Sequence, residues 1–143
     1  MERALREASA AAVRGEVPVG AVITDGADQL LATAGNRIEE LQDPTAHAEI
    51  LVIRYAAERM LSPRLVDCSL YVTLEPCAMC AHAISLARIK RLYFGASDEK
   101  GGAVESGVRL YNGPNCHHKP EIYGGIYASK AKALLRKFFH SRR

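Results

Sequence analysis

Apolar positions in the opening stretch fall at Leu5, Ala8, Ala12 and Val13 among many alanines, the spacing of an amphipathic helix over residues 2–14 that stops at Gly15. The pattern then changes to short apolar runs. Residues 19–24 and 30–34 read as strands, and Asp25-Gly26-Ala27-Asp28 between them supplies a hairpin turn. Helical spacing returns over residues 46–60, through Ile50, Ile53, Ala57 and Leu61, behind the turn and cap residues Asp43-Pro44-Thr45 and ahead of a stop at Ser62-Pro63. A β-branched and aromatic strand follows at residues 70–74. Pro76 then reads as a first helical residue, with a small-residue helix over 78–87 and a further strand over 91–95. Residues 100–115 are rich in glycine and read as loop, before an edge strand at Glu121-Ile122-Tyr123 and a closing helix from about Ala128. Strand and helix alternate in the middle of the chain, which predicts parallel strands joined by crossover helices, with the hairpin on one edge. The fold class is α/β. With no repeat, low-complexity tract or linker, residues 1–143 read as a single domain.

Composition agrees with a packed core and narrows the setting. Of the 143 residues, 48% are apolar and 24% charged, enough to build an interior without disulfide staples. No run approaches the ~18 consecutive apolar residues of a membrane span, and the charged start Met1-Glu2-Arg3 is unlike a signal peptide, so the cytoplasm is the expected address. There the four cysteines, Cys68, Cys77, Cys80 and Cys116, point to metal binding or catalysis rather than to disulfides. The net charge of +3 is unevenly spread. From Ala128 onward there are no acids, and Lys130, Lys132, Arg136, Lys137, Arg142 and Arg143 account for six of the 19 basic residues. A basic end on an acidic body suits a polyanionic partner, and equally suits a solvated helix face.

Cys77-Ala78-Met79-Cys80 is a C-x-x-C unit at the expected start of a helix, where first-turn amides and the helix dipole favour thiolates. Both sulfurs can converge on one soft dication. The surroundings lack the features of a redox pair, so metal binding is the better reading. Zinc in an open catalytic site takes three protein ligands, and His47, in the expected first turn of the second long helix, is the candidate third. Glu49 lies two residues on. Successive helical positions turn by ~100°, so Glu49 is a poor ligand to the same ion but is well placed to act on the water beside it. Cys116-His117-His118 does not qualify as a second metal site, because three consecutive residues do not readily converge on one ion. Cys68, at a strand start, reads as core.

His47-Ala48-Glu49 followed by Pro76-Cys77-Ala78-Met79-Cys80 matches the H-x-E…P-C-x-x-C signature of the zinc-dependent nucleobase deaminases. The flanking stretches Glu16-Val17-Pro18-Val19-Gly20, Gly35-Asn36-Arg37, Asp43-Pro44-Thr45-Ala46 and Leu70-Tyr71-Val72-Thr73-Leu74-Glu75 resemble the bacterial tRNA-specific adenosine deaminases. The resemblance spans nearly the whole chain. It implies a cytidine deaminase-like, three-layer αβα sandwich around a mixed five-stranded sheet. It also implies hydrolytic conversion of the wobble adenosine of an arginine tRNA to inosine, with release of ammonia, by a homodimer holding one zinc per subunit. On this resemblance His47, Cys77 and Cys80 hold zinc and Glu49 moves the proton. Asn36, Val17, Pro18 and Ala48 form the base pocket and Asp98 touches RNA beside the flipped nucleotide. Phe138, Phe139 and Arg142 belong to a tail that meets the anticodon stem-loop. Adjacent helical positions point ~100° apart, so at most one of the two phenylalanines is expected to be fully buried.

Two other readings compete. A deaminase of free bases or nucleosides would share the metal chemistry but gives the basic, aromatic tail no purpose. A nucleic-acid-binding module with a structural zinc would need four protein ligands, and only three converge unless Glu49 is recruited.

Overall fold

The computed structural model describes residues 1–142 and has eleven elements. They run α1 (Glu2–Val13), β1 (Gly20–Thr24), β2 (Leu30–Gly35), α2 (Ile38–Leu41), α3 (Ala48–Met60), β3 (Ser69–Leu74), α4 (Ala78–Leu86), β4 (Arg91–Ala96), a 3-10 turn (Leu110–Asn112), β5 (Glu121–Tyr123) and α5 (Ala128–His140). The strands form one five-stranded mixed sheet in the order β2-β1-β3-β4-β5. Helices cover both faces, giving the expected αβα sandwich. On one face Leu51, Val52 and Ala56 of α3 and Ile84 of α4 pack on Ile23, Leu70, Val72, Leu92 and Phe94 of the strands. On the other, α1 lies over β1 and β2, and α5 lies over β4 and against α1.

The alanines of α1 have a physical reason. Ala4, Ala8 and Ala11 are fully buried, and a Cβ built on Gly20 would stand 2.1 Å from the Ala4 carbonyl oxygen. Helix backbone therefore lies directly on strand backbone, and larger side chains at this contact would lift α1 off the sheet.

The hairpin β1–β2 and the parallel pair β3–β4 form as predicted, and β5 pairs parallel to β4 at the edge. The sheet is mixed, as expected, because β3 is antiparallel to its neighbour β1. The α3 crossover does return the chain in the direction of β2, but β1 folds back between β2 and β3, so the two parallel strands are not adjacent. Helix boundaries shift. Asp43 accepts hydrogen bonds from the Thr45 N–H (2.9 Å) and hydroxyl (2.7 Å), the turn at Pro44-Thr45 is closed by the Ala46 N–H on the Asp43 carbonyl (3.1 Å), and His47 is extended (φ −70°, ψ 151°), so α3 starts at Ala48 rather than 46. Pro76 is not helical, because Cys77 is the cap and Ala78 the first residue of α4.

The sheet face beside β5 carries a column of rings. Tyr71, Tyr93 and Tyr123 occupy paired positions on three strands, with ring centroids 4.6 Å and then 5.0 Å apart and planes within 18° of parallel.

Candidate metal and catalytic site

Two helix starts converge at one end of the sheet. His47 caps α3 and Cys77 caps α4, both with extended backbone, while Cys80 sits in the first turn of α4 and is fully buried. The His47 Nδ1 atom lies 3.7 Å from Cys77 Sγ and 3.5 Å from Cys80 Sγ, and the donor atoms of all three residues lie within 4.8 Å of one another. Tetrahedral zinc with bonds of ~2.3 Å to sulfur and ~2.0 Å to nitrogen would hold S and N about 3.5 Å apart. The trio fits that ion with almost no adjustment.

Electrostatics at the trio suit a cation. A hydrogen bond from the Cys80 thiol, working against burial and aided by His47, draws the Cys77 thiol down to about 4. The same shared proton, together with burial, holds Cys80 above the usual thiol range. The bond to Cys77 raises His47. Burial, with only 4% of the residue exposed, pushes the Glu49 carboxyl up to about 7, against the lowering effect of a hydrogen bond with Cys80.

The base-pocket candidates are tied to this centre by backbone hydrogen bonds. Asn36, buried just beyond β2, accepts from the Ala48 N–H at 2.7 Å and donates its amide to the Val17 carbonyl at 3.2 Å. Its side chain thus links the Val17-Pro18 loop to the first residue of α3. Glu16 secures the same loop from behind, its carboxylate accepting from the N–H groups of Glu39 (3.1 Å) and Glu40 (2.9 Å). Asp98, beyond β4, turns its carboxylate onto the N–H groups of Lys100 and Gly101.

The tail separates its two rings. Phe138 is buried at 8% exposure, with the Arg142 guanidinium 4.1 Å from its ring centroid, whereas Phe139 is 50% exposed. Phe139 lines an outer hollow of ≈ 590 Å³ together with Leu135, Arg136, Lys137 and His140. The Arg142 guanidinium also reaches Gly15, beside the Val17-Pro18 loop. Arg143 of the basic tail lies outside the described residues.

The remaining cysteines behave as the sequence suggests. Cys68 is fully buried. Cys116 is held by Ser85 and the His118 carbonyl, and the His118 ring by the Ile89 carbonyl, so that stretch does not gather around a common point. Sequence reasoning passed over Glu16 and Glu75 as anything but flanking residues. Both are buried acids, 2% exposed, next to a predicted site residue or a proline leading to one, and that placement was the available signal.

The profile of the MafB19-like deaminase family matches residues 1–143. A tRNA-specific adenosine deaminase of Agrobacterium fabrum is 57% identical over 144 residues, spanning 100% of this chain and 93% of the relative. A solved structure from a study of A-to-I editing by tRNA:A34 deaminases at the wobble position of transfer RNA is 56% identical, covers 94% of this chain and 97% of its own, and superposes with a TM-score of 0.93. A guanine deaminase from Nitrosomonas europaea shares the fold at 22% identity, with a TM-score of 0.82 over 96% of this chain and 81% of its own.

Proposed function

The chain belongs to the tRNA-specific adenosine deaminases, hydrolases that edit adenosine to inosine, and from that membership we propose that it acts on the wobble adenosine of an arginine tRNA, depends on zinc and releases ammonia. The observation that carries the reading is the trio His47, Cys77 and Cys80, spaced for one tetrahedral ion, with the buried Glu49 carboxyl beside it. Bound zinc would supply Lewis-acid polarisation of the attacking water. Glu49 takes a proton from the water that adds to C6 of adenine and returns it to the ring nitrogen, then carries the proton of the new C6 hydroxyl to the amine, which leaves as ammonia while the C6 carbonyl forms. Adenosine and water thus become inosine and ammonia. Ala48, fully buried behind the pocket, and Asn36, clamped between Val17 and Ala48, hold the base against the water, with Pro18 as an apolar wall. Asp98 receives the RNA beside the extruded nucleotide.

The tail supports an RNA partner. An exposed ring flanked by cations suits an unstacked anticodon base and its phosphates, and Phe139 has that setting with Arg136 and Lys137. Phe138 is core instead. Phe138→Ala is expected to cost about 3 kcal/mol of stability, whereas Phe139→Ala leaves the melting temperature in place and weakens stem-loop binding by about tenfold. Thermal melts and gel-shift titrations of the two variants separate the roles.

The reading also implies a homodimer in the cytoplasm. Met79 and Leu86 of α4, with Val108 on the loop between β4 and the 3-10 turn, are exposed apolar side chains suited to a subunit contact. No helix among the described residues is long and apolar enough to cross a membrane.

The direct test incubates purified protein with an anticodon stem-loop of an arginine tRNA, and separately with free adenosine, guanine and cytidine. Inosine at the wobble position with little turnover of the free compounds is expected. Turnover of a free base or nucleoside but not of RNA would overturn the assignment.

A further inference from the structure

Glu75 ends the segment that leads into Pro76-Cys77, and its carboxylate is enclosed by a single loop. Oε1 accepts hydrogen bonds from the Asp98 N–H at 3.0 Å and the Ser106 hydroxyl at 2.9 Å. Oε2 accepts from the N–H groups of Val104 (3.1 Å), Glu105 (2.9 Å) and Ser106 (2.9 Å). All these donors lie on residues 98–106. The loop closes so tightly that a Cβ on Gly102 would stand 2.5 Å from the Glu75 carboxyl carbon and 2.5 Å from the Asp98 carbonyl oxygen. Backbone bonds from Glu75 to Ala96 (2.8 Å) and from Ala103 to Pro76 (2.9 Å) complete the attachment.

Every partner of this carboxylate is a donor, and no ion pair among the described residues involves it. Burial opposes the charge, and the five hydrogen bonds donated by the loop compensate for the lost water. A neutral acid or amide in its place would turn a hydrogen toward a donor. The segment carrying Cys77 and the loop carrying Asp98 are therefore joined through one anion, 23 residues apart in sequence at the nearest donor.

We infer that Glu75 is a positioning residue: its carboxylate fixes where the Asp98 loop stands relative to the metal-binding start of α4, and so governs capture of the RNA nucleotide rather than the chemical step. The inference rests on the proposed reading of Asp98 as an RNA contact. A plain structural prop would lower stability and nothing else.

Glu75→Gln separates the two. The amide fits least badly with its NH2 group toward the Ser106 hydroxyl, which can rotate to accept, and that orientation leaves the Asp98 N–H without an acceptor. KM for the anticodon stem-loop is expected to rise about tenfold, with kcat within about threefold of wild type and metal content unchanged. Amide hydrogen exchange at Asp98 and at Val104 to Ser106 should speed up by about tenfold as well, while exchange in β3 and α4 stays as it was. Ser106→Ala removes one donor and leaves the four backbone bonds, so it should resemble wild type in both measurements. If Glu75→Gln does not fold, Gly102→Ala pushes the loop off the same carboxylate and carries the same expectations. Unchanged exchange overturns the inference, and so does faster exchange with an unaltered KM. Because exchange needs no substrate, a wild-type protein inactive on the stem-loop would defeat the proposed function while the hold of Glu75 on the loop is still decided.

Discussion

Glu49→Gln is expected to lower inosine formation in an anticodon stem-loop by about a thousandfold while metal content and melting temperature stay at wild-type values. The side chain is 4% exposed and adjoins the donor trio, so no other described acid occupies its place. Burial pushes its carboxyl up to about 7, near the pH at which a group can both take and return a proton. Glutamine keeps the shape and loses that capacity. Removing a buried carboxyl with an unfavourable setting does not weaken the fold, as is common where function and stability conflict. Single-turnover rates, elemental analysis and a thermal melt on the same preparation check the claim. Retention of more than about a tenth of the wild-type rate, against the usual size of general acid–base effects, would remove Glu49 from the mechanism.

Cys80→Ala should lose both the metal and the activity. Three donors from two helix starts are the minimum for an open zinc site, and a pair consisting of His47 and Cys77 leaves the ion half coordinated. Zinc per chain, measured after dialysis, should fall from about one to a trace, with turnover undetectable. Cys116→Ala is the control. Its sulfur is engaged with Ser85 and the His118 carbonyl, away from the trio, so the metal should remain. Wild-type protein stripped with a chelator should fall silent and recover on return of zinc. Full activity in a preparation free of transition metals would contradict the site altogether.

The donor trio was legible because coordination chemistry demands particular side chains at particular spacings, and His47, Cys77 and Cys80 carry both in the sequence. What the spacing missed was their exact seat. The turn that Asp43 and Thr45 build delays the helix by two residues relative to helical periodicity, which makes His47 a cap rather than a first-turn residue. The antiparallel pairing of β1 with β3 was hidden for a topological reason. Periodicity reports which segments cross over but not which strand is inserted between them. Glu75 and Glu16 were harder still. Apart from the Ser106 hydroxyl, their partners are main-chain N–H groups of distant segments, and a peptide amide leaves no mark in a sequence. For Phe138 and Phe139, helical geometry says that one ring turns inward. Which one does so depends on where α1 lies against α5, a tertiary fact.

The tyrosine column gives the protein an optical handle. With no tryptophan in the chain, its near-ultraviolet spectrum comes from six tyrosines and three phenylalanines, and the column takes three of those tyrosines. Tyr123 belongs to the three-residue edge strand β5, whose detachment would break the last stacking contact. Near-ultraviolet circular dichroism, which senses fixed aromatic packing, therefore watches fraying of that margin in a molecule whose far-ultraviolet signal, dominated by its helices, would scarcely register it.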